Sequence, residues 1–408
     1  MGRVVRAAVV SLVVLVATAL PAGADPGDLD LQFGGTGHVS AVVAGNQDGV
    51  DVVVRSSGRV AVVSAGGTVA QFLANGEPDT GFGSGGVVVG APNVSIKAAT
   101  LDSHGRLVLT GYLGNDLLVE RLLPNGDPDP SFGGTGSVTT HFSTLAYGNA
   151  VRIGPNGGIV VAGGVGNTTS RFVALRYLNN GHLDRSFSDD GKVTTVILGN
   201  DSAAGVAVAD DGSVVAAGSA AASSGSARSF GVVRYHANGH LDGTFSADGK
   251  ATVRIGTTSD AASVLIQPND AIVVGGIYFH PNIDWALARF TDTGKLDHSF
   301  STDGKVTTGF GPDTNNFAGM VRQKSGDLIG CGTHQDGTDR SVILVRYLPS
   351  GKIDSGFGTA GKVFRHLGDT PSCRGIRRSP HGKVVIGATV FEGSTDGDLG
   401  AARFLAGP

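Results

Sequence analysis

The chain has 408 residues, with 31 Lys and Arg against 35 Asp and Glu, a formal net charge of −4, and no basic run. This balance provides no surface for nucleic acid or for an anionic membrane, so we expect neither as a partner. Glycine is abundant at 66 residues, whereas Glu is rare; this composition favours turns and strands over helices.

The first 24 residues have the pattern of a secretory signal peptide. Arg3 and Arg6 give a positive start, residues 7–20 are apolar, and residues 22–24 are small enough for cleavage. A membrane anchor is the alternative, but the run is short for a span of roughly 20 residues. We therefore expect a signal over 1–24, a single mature domain over 25–408 with no membrane span, and a secreted or cell-surface location.

One spacing recurs along the mature chain: an Asp, a Phe three residues later and a Gly four residues beyond. The markers are Asp30-Phe33-Gly37, Asp79-Phe82-Gly86, Asp129-Phe132-Gly136, Asp184-Phe187-Gly191, Asp242-Phe245-Gly249, Asp297-Phe300-Gly304 and Asp354-Phe357-Gly361. Such self-similarity indicates one supersecondary unit that is copied and stacked.

Each repeat has four short apolar segments, as at 192–196, 205–209, 214–218 and 230–235. The turns Asp211-Gly212 and Asn238-Gly239 supply the positive φ angles of tight hairpins, so we expect these four segments to form one antiparallel meander. A sheet this small cannot bury both of its faces alone. Stacking the sheets face to face in a closed ring solves that problem and leaves only short edges, which predicts a β-propeller.

The chain ends carry complementary parts of one repeat. The last copy stops after its third strand at 401–405, and residues 29–41 supply the missing marker and strand. We therefore predict an all-β, seven-bladed β-propeller of four-stranded antiparallel blades, closed by pairing the N-terminal strand with the C-terminal three strands. We expect a monomer.

An Arg precedes most marker Asp residues by eight positions. The pairs are Arg121 and Asp129, Arg176 and Asp184, Arg234 and Asp242, Arg289 and Asp297, Arg346 and Asp354, with Arg403 meeting Asp30 across the closure and Gln71 preceding Asp79. We predict bidentate ion pairs that fix the turn between strands. Since copies spread round a ring cannot converge on one substrate, we interpret these pairs as structural, the Phe as core and the Gly as a turn residue.

The repeat resembles the delta-60 repeat family. The resemblance is carried by Leu183-Asp184-Arg185-Ser186-Phe187, Leu296-Asp297-His298-Ser299-Phe300, Gly304-Lys305-Val306, Val161-Ala162-Gly163 and Val345-Arg346-Tyr347. It implies an exported bacterial propeller with no agreed activity. The first two copies depart from the pattern at 74–78 and in the short loop 65–67.

Variable loops follow the Val-Val-Ala-Gly strands and should share one face of the ring with the connections between copies. The densest polar cluster there comprises His280, Asp284, Asp313, His334, Asp336 and Asp339. These side chains could bind a ligand, hold a divalent metal such as zinc, or provide a general base. No HExxH or CxxC spacing accompanies them, so we assign no catalytic residue and no definite cofactor. We interpret Trp285 as core.

Two further features are open to interpretation. Arg374, Arg377 and Arg378, with Arg322 and Lys324, replace apolar residues of an inner strand and either form solvated channel walls or bind an anion. Cys331 and Cys373 either form a disulfide or are two small buried residues.

Irregularity confined to one face favours an exported binding or interaction module whose ligand, a protein or a carbohydrate, contacts the variable loops. The alternative is a metal-assisted hydrolase or lyase with its site at the propeller mouth. A purely structural surface protein is a third hypothesis.

Overall fold

The computed structural model describes residues 25–43, 45, 47–369, 371–390 and 397–407. The predicted export signal, 1–24, lies outside the described residues. Within them the chain forms 28 strands and no helix that could cross a membrane. Because Gly and Asp-Gly turns interrupt the apolar runs every few residues, the strands are short.

Strand β1 is His38–Ala41, and blade 1 comprises β2 Gly49–Val54, β3 Val60–Ser64, β4 Val69–Phe72 and β5 Val87–Val88. Blade 2 comprises β6 Val94–Leu101, β7 Leu107–Leu113, β8 Asp116–Leu122 and β9 Ser137–Thr140. Blade 3 comprises β10 Ala146–Ile153, β11 Ile159–Val165, β12 Arg171–Tyr177 and β13 Lys192–Thr195. Blade 4 comprises β14 Asn200–Val208, β15 Val214–Ala221, β16 Ser229–Tyr235 and β17 Lys250–Val253.

Blade 5 comprises β18 Thr258–Ile266, β19 Ile272–Phe279, β20 Ile283–Phe290 and β21 Lys305–Thr308. Blade 6 comprises β22 Thr314–Arg322, β23 Leu328–Asp336, β24 Asp339–Tyr347 and β25 Lys362–Arg365. Blade 7 comprises β26 Ser372–Arg378, β27 Val384–Val390 and β28 Asp398–Phe404, completed by β1.

The first strands of successive blades lie side by side, and β26 of blade 7 contacts β2 of blade 1. The seven sheets therefore form a closed ring, and the predicted seven-bladed propeller is confirmed. One parallel bridge between Ile283 and Thr314 links blades 5 and 6.

The closure strand is the element that joins the two ends of the chain. Strand β1 pairs antiparallel with β28, with His38 opposite Ala402 and Ala41 opposite Leu399. Asp30 N also donates to Arg403 O. The closure of the ring by the N-terminal strand is thus confirmed.

The grouping of strands into sheets differs from the sequence prediction in one respect. Segment 192–195, β13, pairs with β12 of the preceding blade, and the next sheet begins at β14. Each marker therefore lies inside a blade, between its third and outer strands. The reason is local: Arg234 N bonds Gly249 O and Asp242 N bonds Arg234 O, which folds the outer strand back onto the third strand.

Every first strand carries a β-bulge at the same position. In blade 3 the pairing shifts between Gly148 and Ala150, which leaves Asn149 unpaired. Opposite this bulge lies Gly163, where a Cβ would overlap the Tyr147 carbonyl oxygen. The same overlap occurs in five blades, at Gly111, Gly163, Gly218, Gly276 and Gly332. The bulge therefore requires a Gly as the last residue of the Val-Val-Ala-Gly strand, because any side chain there would overlap the first strand.

The core lies between blades rather than within one. In one cluster Val215 and Phe230 of blade 4 pack with Val264 and Val274 of blade 5. The seven marker Phe side chains are fully buried. Each blade therefore depends on its neighbour for burial, and closure removes the two ends that an open row would expose.

Candidate functional site

The two faces of the ring differ in kind. The marker face carries the turns from first to second and from third to outer strand, and Arg106 Nη2 in one such turn bonds Asn179 Oδ1 of the next blade at 2.8 Å. The variable-loop face carries the hairpins between second and third strands and the connections between blades. The bridge from Ile283 to Thr314 joins a hairpin to such a connection.

On the marker face the Arg side chains pair with Asp through Nε and one carboxylate oxygen. These distances are 2.8 Å for Arg121–Asp129, 2.7 Å for Arg176–Asp184, Arg234–Asp242, Arg289–Asp297 and Arg346–Asp354, and 2.5 Å for Arg403–Asp30. Each guanidinium also lies over the marker Phe ring, 4.6–5.0 Å from its centroid.

The predicted bidentate geometry is wrong, because the other guanidinium nitrogens have different partners. Arg234 Nη2 donates to Thr244 Oγ1 at 3.0 Å, and Nη1 donates to the Asp292 carbonyl of blade 5 at 2.5 Å. The second oxygen of Asp242 accepts from Thr244 instead. Each Arg therefore connects its own turn to the next blade.

Blade 1 rearranges this unit. Gln71 Nε2 donates to Asp79 Oδ2 at 2.8 Å, and Arg59 Nε lies 2.8 Å from the same oxygen. Arg55 Nε bonds Gln71 Oε1 at 2.7 Å. Arg59, in the turn between β2 and β3, supplies the positive charge that Gln71 lacks. Asp79 is therefore paired with a cation although this copy departs from the repeat.

Burial alone would raise the pKa of the Asp242 carboxyl. The hydrogen bonds from Thr244 and the charge of Arg234 outweigh it, so the pKa lies below its ordinary value. The pKa is lowered in the same way at Asp129, Asp184 and Asp297. These carboxylates are therefore ionised at neutral pH, and their role is structural.

On the variable-loop face, three of the predicted polar residues lie together between blades 5 and 6. His334 Nε2 lies 3.6 Å from Asp313 Oδ2, and its Nδ1 lies 2.8 Å from Asn315 Oδ1. Asn315 Nδ2 is 3.4 Å from Asp284 Oδ1, which also accepts from Phe310 N at 3.1 Å. Burial raises the pKa of Asp284 although the Phe310 amide and the Lys362 charge oppose it.

The other three predicted residues make different contacts. His280 is at the β19–β20 hairpin, where its amide bonds Asn282 O. Asp336 and Asp339 face each other at the tip of β23–β24, and Asp339 Oδ1 is 3.5 Å from His366 Nδ1. Within the described part of the chain no three His, Cys, Asp or Glu side chains gather as a metal site.

Aromatic rings line the same region and were missed from the sequence, except for Trp285. Trp285 is buried, donates to Asn316 O at 2.7 Å and packs edge-on against Phe310 at 5.1 Å. Phe364 contacts Phe310 at 6.3 Å and His334 at 5.3 Å between ring centroids, and is 39% exposed. We call Asp313, His334 and Phe364 the blade 5–6 patch.

A sequence signal for Phe364 exists in the repeat itself. The third position of the outer strand is Thr in other blades, namely Thr139, Thr194, Thr252 and Thr307. All four Thr side chains are exposed. An aromatic ring at an exposed position where sister repeats have Thr is not required by the fold.

Cys331 of β23 and Cys373 of β26 are fully buried and are joined as a disulfide, with their Cα atoms 6.4 Å apart. The bond links blade 6 to blade 7. It lies in the interior of the ring.

Three segments, 104–132, 154–187 and 209–245, match a family model described as a domain of unknown function (DUF5122) beta-propeller. They cover the marker turns of blades 2, 3 and 4. The chain is a β-propeller repeat protein. No curated protein matches this propeller.

Solved structures similar to the propeller include a catalytically inactive virginiamycin B lyase from Staphylococcus aureus with quinupristin, at 12% identity and a TM-score of 0.53. The match covers 88% of this chain and 97% of the lyase. A protein of unknown function from Dyadobacter fermentans has 10% identity and a TM-score of 0.48, covering 90% and 98%. At these identities the likeness shows the fold alone.

Proposed function

We propose that the protein is an exported binding module of the delta-60 repeat type that holds a carbohydrate ligand at the blade 5–6 patch. The observation that carries the proposal is Phe364, an exposed ring at a position that is Thr in four sister blades. A flat apolar ring suits the C–H face of a sugar. His334 and Asp313, both partly exposed, supply directional polar groups for its hydroxyls.

The distribution of exposed apolar side chains supports this choice of face. Among the described residues, Val42, Val89, Leu113, Val196, Leu198 and Phe279 are exposed on the variable-loop face, and only Leu178 and Leu241 on the marker face. Contact surfaces of soluble proteins are commonly enriched in such side chains. The marker face, in contrast, is occupied by the repeated Arg–Asp–Phe unit.

The metal-assisted hydrolase or lyase has no comparable support. It would need His280 and His334 to share one ion with a carboxylate, and among the described residues no group of three such ligands supports it. The likeness to virginiamycin B lyase concerns the fold, and nothing about its activity is carried over to this chain.

The test is binding of the mature chain, 25–408, to an array of oligosaccharides, followed by titration of the best ligand with the Phe364→Thr variant. Thr is the residue of the sister repeats, so we expect the variant to fold as a propeller, which its melting curve checks. Loss of a central aromatic contact costs about 2 kcal/mol, or roughly 30-fold in Kd. Leu178→Thr, an exposed apolar change on the marker face, is the matched control and should bind normally.

Two results would contradict the proposal. One is an array on which the folded wild-type chain binds no oligosaccharide. The other is equal affinity of the Phe364→Thr and wild-type chains. If Leu178→Thr abolished binding and Phe364→Thr retained it, the site would lie on the marker face.

A further inference from the structure

The seven first strands enclose a cavity of about 100 Å³ on the axis of the ring. The shared bulge gives these strands one common register, so their residues can be compared layer by layer. The bulge layer consists of Val50, Lys97, Asn149, Ala204, Ala262, Ala318 and Arg374.

Three residues farther along each strand lies a second layer. Its members are Val53, Thr100, Arg152, Ala207, Leu265, Val321 and Arg377. Most positions in both layers are small or apolar, as expected for closely approaching strands. Asn149 and Thr100 are polar but uncharged, and every charged member of the two layers, Lys97, Arg374, Arg152 and Arg377, is cationic.

A single carboxylate, Asp51, faces these cations from the lining of the cavity. Its Oδ2 lies 2.8 Å from Arg377 Nη2 and accepts from Ala99 N at 3.0 Å, while Oδ1 accepts from Val52 N at 2.8 Å. The one direct ion pair of Asp51 in the described part of the chain is therefore with Arg377. Lys97, Arg152 and Arg374 have no carboxylate within ion-pair distance among the described residues.

Two of the remaining cations are also short of hydrogen-bond partners. Arg374 Nε is buried and has no partner in the described part of the chain. Arg152 Nη1 donates to its neighbour Val151 O at 2.8 Å. Burial, reinforced by repulsion from Arg377 and opposed by the charge of Asp51, lowers the pKa of Arg152 to about 10. Arg152 and Arg374 are partly buried, and the one carboxylate in the cavity lining, Asp51, is paired with Arg377. Partly buried cations that outnumber their counter-charges destabilise the fold unless an anion joins them.

We propose that the channel binds one compact oxyanion of the phosphate or sulfate class between Arg152, Arg374 and Arg377. Guanidinium groups present several N–H donors in a planar fork and form strong charge-assisted bonds to oxyanions. The cavity of about 100 Å³ admits such a group but not a nucleotide or a sugar.

The approach to this site lies on the marker face. At the ends of the first strands, Arg322 and Arg378 occupy positions that are apolar in the other blades, namely Val54, Leu101, Ile153, Val208 and Ile266. Arg322 Nε is buried without a hydrogen-bond partner among the described residues. Lys324, Arg378 and His381 line a second cavity of about 340 Å³. Positive charge thus also lies at the marker-face ends of the first strands of blades 6 and 7, on the face opposite the blade 5–6 patch.

The test is titration of the mature chain with inorganic phosphate by calorimetry, in a buffer free of phosphate and sulfate, with chloride at matched ionic strength as the reference. We expect one site per chain and a melting temperature that rises with phosphate. Arg374→Gln and Arg152→Gln should each weaken binding by about tenfold or more, the value of a hydrogen bond to a charged group. Arg185→Gln removes an exposed Arg far from the axis and should bind as the wild type does.

Stability in the anion-free buffer provides a second readout. Arg152→Gln removes an uncompensated charge, so its melting temperature without phosphate should equal or exceed that of the wild type, and phosphate should no longer raise it. The proposal is overturned if the wild type gives no saturable heat with phosphate, or if Arg374→Gln and Arg185→Gln bind it equally. Competition by a sugar phosphate would show that the site takes a pendant phosphate group, and failure to compete would limit it to free anions.

Discussion

At the scale of single residues, the repeated Arg is what joins each turn to the next blade. Arg234 contacts Asp242, Thr244, the Phe245 ring and the Asp292 carbonyl. The Arg and Asp partners were predicted from their spacing of eight residues. The carbonyl of the next blade was not, because a spacing within one repeat carries no information on how neighbouring sheets are rotated.

Breaking one of these pairs should be costly. The side chains of Arg234 and Asp242 are 14% and 8% exposed, and removing one partner of a buried pair costs about 3–5 kcal/mol. We expect Asp242→Ala to lower the free energy of unfolding by this amount in urea titrations. Asp248→Asn, whose side chain is 59% exposed, is the control and should change it by less than about 1 kcal/mol. An unchanged midpoint in Asp242→Ala would contradict the structural role.

The same pair has a defined pH dependence. Because the pKa of Asp242 is lowered in the folded state, its contribution is present above the unfolded pKa of about 3.9 and is lost as the pH falls through the folded value. The difference between the wild type and Asp242→Ala should be constant above about pH 5 and shrink below about pH 4. A difference that grew in acid would mean that the carboxyl is protonated in the native state.

At the scale of strands and loops, the sequence predicted the strands and their turns but not their grouping. The segment 192–196 was assigned to the sheet that follows it, since a periodic pattern does not show where its unit begins. The candidate site was predicted in part for a related reason. His334 Nε2 and Asp313 Oδ2 lie 3.6 Å apart, as a ligand-binding group requires. Asp336 and Asp339 are at the tip of the β23–β24 hairpin, and the length of this hairpin varies between repeats, so the pattern did not predict its position. Phe364 was missed although comparison of the outer strands reveals it.

The disulfide is the covalent link between two neighbouring blades. It closes 42 residues of chain, and the loss of unfolded-state entropy for such a loop corresponds to about 4 kcal/mol. We expect the double variant Cys331→Ala/Cys373→Ala to unfold at a lower urea concentration than the wild type. Reductant should lower the urea midpoint of the wild type to that of the variant, and it should not change the midpoint of the variant. Equal midpoints for the oxidised wild type and the variant would show that the link adds nothing.

At the scale of the whole molecule, the account depends on ring closure. The incomplete repeats at the two ends predicted it, and the pairing of β1 with β28 completes blade 7. Closure separates the marker face from the variable-loop face and brings seven first strands around one axis. The proposed carbohydrate patch and the proposed anion channel both follow from that arrangement.

Hydrogen exchange of the chain over residues 25–408, read by mass spectrometry on a sample shown to be monomeric, tests this closure most directly. We predict that amides of His38–Ala41 are protected as well as those of the outer strands Lys192–Thr195 and Lys305–Thr308, because each of these strands is bonded to the third strand of its blade. Complete exchange of His38–Ala41 at the earliest time, while the other blades stay protected, would contradict a closed ring.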